Sequence, residues 1–338
     1  MRRSLTRAIT ISIAGALAAC GSAGSSKAPP VPAGMFRDPV IAHNFADPFI
    51  LHANGTYYGY ATGDRTDNIQ VERSADLVHW TRLADALPER PNWQPSSAGL
   101  TWAPDVAHIG NGYVLYYTAR NAEIGKQCVS FAVSASPAGP FKDSSAAPFV
   151  CQADLGGSID ADYFRDSDGT PYLVWKNDGN CCGIPTRIWL AKLSADGRTL
   201  AGQPQVINQK DDAWEGNLIE GPTLFLHEGT YYLFYSANDY AGPHYAVGYA
   251  TADKVTGPYT DAPENPIIIM HAPAAGPGGQ AVVEGPHGQL WMAYHAWDIH
   301  QIGDETGGGR RALWIDRLVF MGKKAVVKGP TAEPQPTP

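Results

Sequence analysis

Four acidic residues recur at matching places along the chain. Asp47 stands in Ala46-Asp47-Pro48-Phe49-Ile50, Asp105 in Ala103-Pro104-Asp105-Val106-Ala107, Asp160 in Ile159-Asp160-Ala161-Asp162-Tyr163-Phe164, and Glu220 in Glu220-Gly221-Pro222-Thr223-Leu224-Phe225. Each lies seven to nine residues before a glycine that opens an aromatic-rich run; the fifth such stretch, Gly279-Gln280-Ala281-Val282-Val283, carries no acid. Carboxylates gathered with so little basic sequence beside them suit acid/base catalysis on a neutral sugar, or the binding of a hard cation through oxygen. Aspartate beside proline also caps turns, and that structural role competes most strongly at Asp105.

The elements that must bring these acids together are repeats. Asn54-Gly55-Thr56-Tyr57-Tyr58, Asn111-Gly112-Tyr113-Val114-Leu115-Tyr116-Tyr117, Asp168-Gly169-Thr170-Pro171-Tyr172-Leu173-Val174-Trp175, Glu228-Gly229-Thr230-Tyr231-Tyr232-Leu233-Phe234-Tyr235 and His287-Gly288-Gln289-Leu290-Trp291-Met292-Ala293-Tyr294 share one design, and their glycines are 57, 57, 60 and 59 residues apart. Glycine supplies the positive φ of a hairpin turn, and the alternating aromatic run suits a half-buried strand. A period near 58 fits a four-stranded sheet with its loops. Five sheets that cannot bury their apolar faces alone do so by packing radially. The expected fold is therefore all-β: a single-domain five-bladed β-propeller over residues 34–330. Its innermost strands converge on the axis and carry Asp47, Asp105, Asp160 and Glu220. Ala312 to Val327 supplies a last hairpin with Met35 to Ile41 beside it, which hides the sheet edges. Residues 331–338 read as a disordered tail.

The N-terminus reads as a targeting segment. Arg2, Arg3 and Arg7 precede an apolar run from Ala8 to Ala16, and Leu17-Ala18-Ala19-Cys20-Gly21 resembles the bacterial lipobox, in which the cysteine is lipidated. Residues 1–19 are then a lipoprotein signal peptide, Cys20 the lipidation site and 20–33 a flexible tether. The protein is expected to be exported and held at the cell envelope by its lipid alone. In that oxidising setting the other four cysteines read as disulfides, with three possible connectivities. Cys128 with Cys151 and a vicinal Cys181-Cys182 pair is the favoured set, the cross-pairings remaining open.

The ordered set Ala-Asp47-Pro-Phe-Ile, Trp102-Ala103-Pro104-Asp105-Val106, Ser-Ile-Asp160-Ala-Asp-Tyr-Phe and Ile-Glu220-Gly-Pro-Thr-Leu resembles the signatures of glycoside hydrolase family 43, from about Phe36 to Pro330. The resemblance implies a five-bladed propeller that inverts the anomeric carbon of arabinans, xylans and their side chains, as an arabinofuranosidase, xylosidase or endo-arabinanase. It assigns Asp47 as general base, Glu220 as general acid and Asp160 as the carboxylate that orients the acid and raises its pKa. An inverting hydrolase needs the two carboxyls roughly 6.5 to 9.5 Å apart, and a raised pKa in the acid. Arg311, after Gly307-Gly308-Gly309, matches a family arginine that reaches the site, with Arg310 competing for that place. Trp102, Asp105 and Trp214 are candidates for substrate contact, the tryptophans by stacking on a sugar face. The loop from Asn177 to Pro185 would wall the pocket.

Arabinan-cutting relatives often hold a central metal through a histidine in a Gly-Pro-Gly-His phrase. Here the phrase is Gly276-Pro277-Gly278-Gly279-Gln280, so no metal ligand is assigned, no cofactor is required, and a structural calcium is admitted without being predicted. His295 and His271 read as structural. The chain has 338 residues, 44% hydrophobic and 17% charged, with 36 Gly, 27 Pro and a net charge of −8. The apolar share supports a large core, the Gly and Pro argue against long helices, and the acidity argues against a nucleic-acid partner. A monomer with a carbohydrate substrate is expected. Two further readings are a retaining fructan or sucrose hydrolase of families 32 and 68, whose Asn-Asp-Pro-Asn-Gly start and Glu-Cys acid motif are missing, and a sugar-binding lipoprotein without catalysis. The second has no need of three carboxylates in one pocket.

Overall fold

The computed structural model describes residues 30–95, 101–303 and 306–338. The chain divides at Val31, and the fold lies in Pro32–Pro338. The expected leader, Cys20 and most of the tether fall before residue 30, outside the described residues.

Local sequence explains the hairpins. Asn54-Gly55 and Glu228-Gly229 form two-residue loops between paired strands, with φ of 53° and 73° in the first and 47° and 78° in the second. Turns of this hand match the twist of the strands they join. In the second repeat the loop is Gly110-Asn111, so Gly112, expected in the turn, opens the returning strand instead.

A short strand, β1 (Met35–Phe36), precedes the blades. Blade I holds β2 (Phe49–Ala53), β3 (Thr56–Thr62), β4 (Ile69–Ser74) and β5 (Trp80–Arg82); blade II holds β6 (Trp102–Ile109), β7 (Gly112–Arg120) and β8 (Gln127–Ser134). Blade III holds β9 (Ser158–Arg165), β10 (Pro171–Asn177), β11 (Arg187–Lys192) and β12 (Gln205–Gln209). Blade IV holds β13 (Ile219–His227), β14 (Thr230–Ala237), β15 (Ala246–Ala252) and β16 (Thr260–Asp261). Blade V holds β17 (Ala274–Glu284), β18 (Leu290–Asp298), β19 (Arg311–Met321) and β20 (Lys324–Val327), and β21 (Gln335–Pro336) ends the chain.

Strands pair antiparallel in chain order within each blade. Among the described residues blade II has three strands, and bridges from Lys142 to Val133 and from Val150 to Val129 cover β8 where the other blades have a fourth. The inner strands β2, β6, β9, β13 and β17 touch in succession, and β17 touches β2, so the ring closes. The fold is the expected five-bladed propeller.

Burial follows from this arrangement. Seven of the nine residues of β7 are buried, because a second strand is covered by blades on both faces. The core is correspondingly split into clusters between adjacent blades. Tyr60 and Val71 of blade I pack with Leu115 and Tyr117 of blade II, while Phe234 and Tyr249 of blade IV pack with Met292 and Trp314 of blade V.

Closure uses more of the chain than expected. Val40 donates to the Leu313 carbonyl and Leu313 to that of Ile41, each at 2.9 Å, which places the N-terminal segment along β19. The C-terminal residues are not a disordered tail: β21 pairs with β1. The physical reason is a buried carboxylate. Asp38 lies beside Asp316 in the core, and burial followed by that neighbouring charge pushes its pKa well up. Gln335 Nε2 donates to Asp38 Oδ2 at 2.9 Å and to the Ile315 carbonyl at 3.1 Å, supplying a donor that a buried acid demands.

Candidate active site

Each inner strand carries, in or just before it, a hub-facing residue in the left-handed region: Asp47 (φ 51°), Ala103 (43°), Asp160 (58°), Gly221 (55°) and Gly279 (59°). For residues with a Cβ this conformation costs about 1–3 kcal/mol and persists only where the surroundings hold it. The hold comes from the neighbouring blade. Asp47 N–H donates to His295 Nδ1 (3.1 Å), Ala103 N–H to Thr62 Oγ1 (3.0 Å), Asp160 N–H to Thr118 Oγ1 (3.2 Å) and Gly279 N–H to Ser236 Oγ (2.9 Å). These acceptors stand on the second strands of blades V, I, II and IV, six or seven residues past each turn glycine.

Blade III breaks the pattern. Its equivalent residue is Lys176, which accepts nothing; its ammonium is fully buried and donates to Glu220 Oε2 at 2.7 Å. The Gly221 N–H then turns to Asp160 Oδ2 at 3.0 Å. Asp160 and Glu220 are thus linked through the backbone of adjacent blades at the point where the repeat fails.

Asp47, Asp160 and Glu220 line one cavity of about 540 Å³ at the hub, a volume suited to a small ligand or part of a polymer. Thr62 donates to Asp47 Oδ2 at 2.6 Å, and the Arg311 guanidinium lies 3.4 Å from Oδ1. Burial pushes the Asp47 carboxyl up, but the Arg311 charge, His295 and the Thr62 hydroxyl together bring it below its usual value. His295 itself is buried and drops to about 3, so it is neutral at pH 7 and its Nδ1 accepts. Asp160 rises to about 7 through burial and the Glu220 charge, with Lys176 opposing and Asp47 adding to the rise. Lys176 stays charged because Glu220 and Asp160 outweigh its burial. Tyr245 donates its hydroxyl to Glu220 Oε1 at 2.9 Å, so both oxygens of Glu220 have donors.

Asp105 does not join these three. Ala103 is the blade II counterpart of Asp47 and Asp160, and Asp105, two residues on, matches Asp162. Asp105 and Asp162 form a separate pair in the cavity wall, taking the N–H groups of Tyr163 (3.3 Å) and Leu224 (2.9 Å). Burial raises both, Asp162 to about 7. Counting back from the turn glycine blurred this distinction because the inner strands carry register shifts, one of them between Trp102 and Asp105.

Of the candidate sugar contacts, Trp102 lines the cavity and Trp214 does not. Trp214 stacks on Tyr235, ring centroids 5.7 Å apart, inside blade IV, and a side chain at Gly248 would strike it. Arg311 is buried over the Tyr240 ring at 4.8 Å, whereas Arg310 is exposed. Asp178, Asn180 and Cys181 line one side of the cavity, as expected of that loop. The disulfides are Cys128–Cys151 and Cys181–Cys182. Lys176, Tyr245 and Thr62 were missed from sequence, and His295 was read there as structural, without its tie to Asp47. Their signal was a fixed offset after the turn glycine for three of them, hidden because the residue types differ.

A metal held from position 279 does not fit. A side chain there would come within 2.7 Å of His295 and 3.0 Å of Asp47, so only glycine allows the two blades this close.

The sequence pattern described as "Glycosyl hydrolases family 43" matches residues 36–322. The chain is a family 43 glycosyl hydrolase. Like its relatives, this family 43 enzyme hydrolyses glycosidic bonds, and that chemistry needs no cofactor. It is 28% identical over 300 residues to the β-D-galactofuranosidase xynD of Aspergillus niger, covering 84% of this chain and 82% of that protein. It is 26% identical over 274 residues to an extracellular endo-α-(1→5)-L-arabinanase of Bacillus subtilis, covering 76% and 81%. Among solved structures it is similar to a thermostable family 43 glycoside hydrolase, with a TM-score of 0.80 and 35% identity over 90% of this chain and 99% of that one. The fructan-hydrolase and non-catalytic readings find no support in these similarities.

Proposed function

We propose that the protein is an exported, inverting glycosidase of pentose-containing polysaccharides or oligosaccharides, of the arabinofuranosidase, xylosidase or endo-arabinanase type. The carrying observation is the union of Asp47, Asp160 and Glu220 in one cavity, with Asp47 below its usual pKa and Asp160 above it. Asp47 is the general base: ionised at neutral pH and steered by Thr62 and Arg311, it takes a proton from the attacking water. Glu220 is the general acid and protonates the leaving oxygen from the other side of the scissile bond. Asp160, anchored on the Gly221 N–H, orients the turn from which Glu220 projects. Burial and the neighbouring Glu220 charge hold a proton on Asp160 up to about pH 7.

Trp102 and Arg311 with Tyr240 flank the sugar. Export is supported by relatives named as extracellular and by the two disulfides, with Cys20 as the lipid anchor and a monomer as the working form. The test is a panel of nitrophenyl α-L-arabinofuranoside, β-D-xyloside and β-D-galactofuranoside with linear arabinan and xylan, followed by NMR of the first-formed anomer. Inverted product from a pentoside supports the reading; retention of configuration, or activity on the galactofuranoside alone, overturns it.

A further inference from the structure

Away from the hub, blade IV gathers three acids from separate segments. Asp211 precedes the short 3-10 turn Ala213–Glu215, Glu215 ends it, and Asp261 lies on the outermost strand β16. Each brings one carboxylate oxygen within 4.8 Å of the others. Glu215 Oε2 accepts the N–H groups of Asp211 and Asp212, both at 2.8 Å. The residue is 0% exposed, yet its Oε1 has no hydrogen-bond partner. Tyr235 commits its hydroxyl proton to Asp261 Oδ1 at 2.7 Å, although Glu215 also lies beside that hydroxyl. Among the described residues no lysine, arginine or histidine forms an ion pair with any of the three.

A buried, unpaired carboxylate oxygen beside two further acids is unfavourable unless a positive charge joins them. Oxygens bound to one calcium at about 2.3–2.6 Å can be no more than about 5 Å apart, and the three carboxylates meet that limit. We propose that Asp211, Glu215 and Asp261 form a site for a hard divalent cation of the calcium type, completed by water. The ion ties the outer edge of blade IV to the segment that runs into β13 and Glu220. Asn238 braces the same segment from the other side, donating its N–H to the Glu215 carbonyl and its Nδ2 to that of Trp214. The site is independent of which sugar the enzyme cuts, because its readout is cation binding.

Chelator-treated protein is titrated with Ca²⁺ by calorimetry. Tb³⁺ serves as a luminescent probe excited through Tyr235 and the Trp214 ring stacked on it. One ion per chain, sensitised Tb³⁺ emission displaced by Ca²⁺, and a higher unfolding temperature with Ca²⁺ are expected. Asp211→Asn and Asp261→Asn lose all three effects; Asp211 is exposed, and circular dichroism checks that its variant is folded. Asp47→Asn, at the hub, binds as the native chain does. The proposal is overturned if the native chain shows no Ca²⁺ heat or thermal shift, if both cluster variants bind undiminished, or if Asp47→Asn abolishes binding and so puts the ion at the hub.

Discussion

Asp160 and Asp162 stand two residues apart on one strand, both line the cavity, and both rise to about 7. Their surroundings differ. Asp160 faces another carboxyl with Lys176 beside it and Arg311 serving Asp47, so charge is placed against charge. Among the described residues, Asp162 and its partner Asp105 have no cation and hold two backbone N–H groups, and Asp105 Oδ1 has no donor. The comparison teaches that a raised pKa alone does not mark the catalytic acids. What sets the proposed catalytic acids apart is the cations and hydroxyl donors around them, Arg311 and Thr62 at Asp47 and Lys176 and Tyr245 at Glu220.

The largest effect that would break this comparison comes from the reacting groups. Asp47→Ala and Glu220→Ala are each expected to lower kcat by about 10²–10⁴ with unchanged circular dichroism, whereas Asp162→Asn should stay near wild type. Comparable losses in all three would erase the distinction. Next is Lys176→Met. Removing the cation beside the Asp160–Glu220 pair should move the alkaline limb of the kcat profile upward by about one pH unit; an unmoved limb would show that Lys176 only packs.

In the native enzyme activity should fall as pH rises through about 7, where Asp160 loses its proton. The acid limb should lie below the ordinary carboxylate range, since Asp47 is lowered. A profile rising across pH 7 would contradict the assignment of acid and base. The smallest effect sharpens the other side. Asp162 has its folded pKa raised, so its stability contribution is present at pH 4 and lost as pH rises through about 7. Asp162→Asn should therefore stabilise the protein by about 1–2 kcal/mol at pH 8 and little at pH 4, measured by urea unfolding at both.

Much of this was legible in the chain because its causes are local. The hairpins announce themselves through turn glycines and alternating aromatics, and Asp47, Asp160 and Glu220 stand at the heads of the strands that follow from them. Asp105 was misplaced because a register shift is invisible to counting. Trp214 was read as a sugar platform because an indole on a loop looks alike whether it faces solvent or a neighbouring ring. Lys176 escaped because its counterparts are Thr118, Ser236, Thr62 and His295, and nothing in their chemistry suggests one repeated position until the blades are closed. Gln335 escaped for a similar reason, since its partner Asp38 is 297 residues away.

Repeat number, sheet type and the identity of the three hub acids were determined by the order of residues, because each depends on short-range alternation and on one period. Which acid is ionised, which carries a proton, and which merely lines the wall depended on the closed ring. Only there do Arg311, Lys176 and Thr62 come within hydrogen-bonding or Coulomb range of carboxylates far from them in the chain, and the field at a buried acid falls off with distance through space.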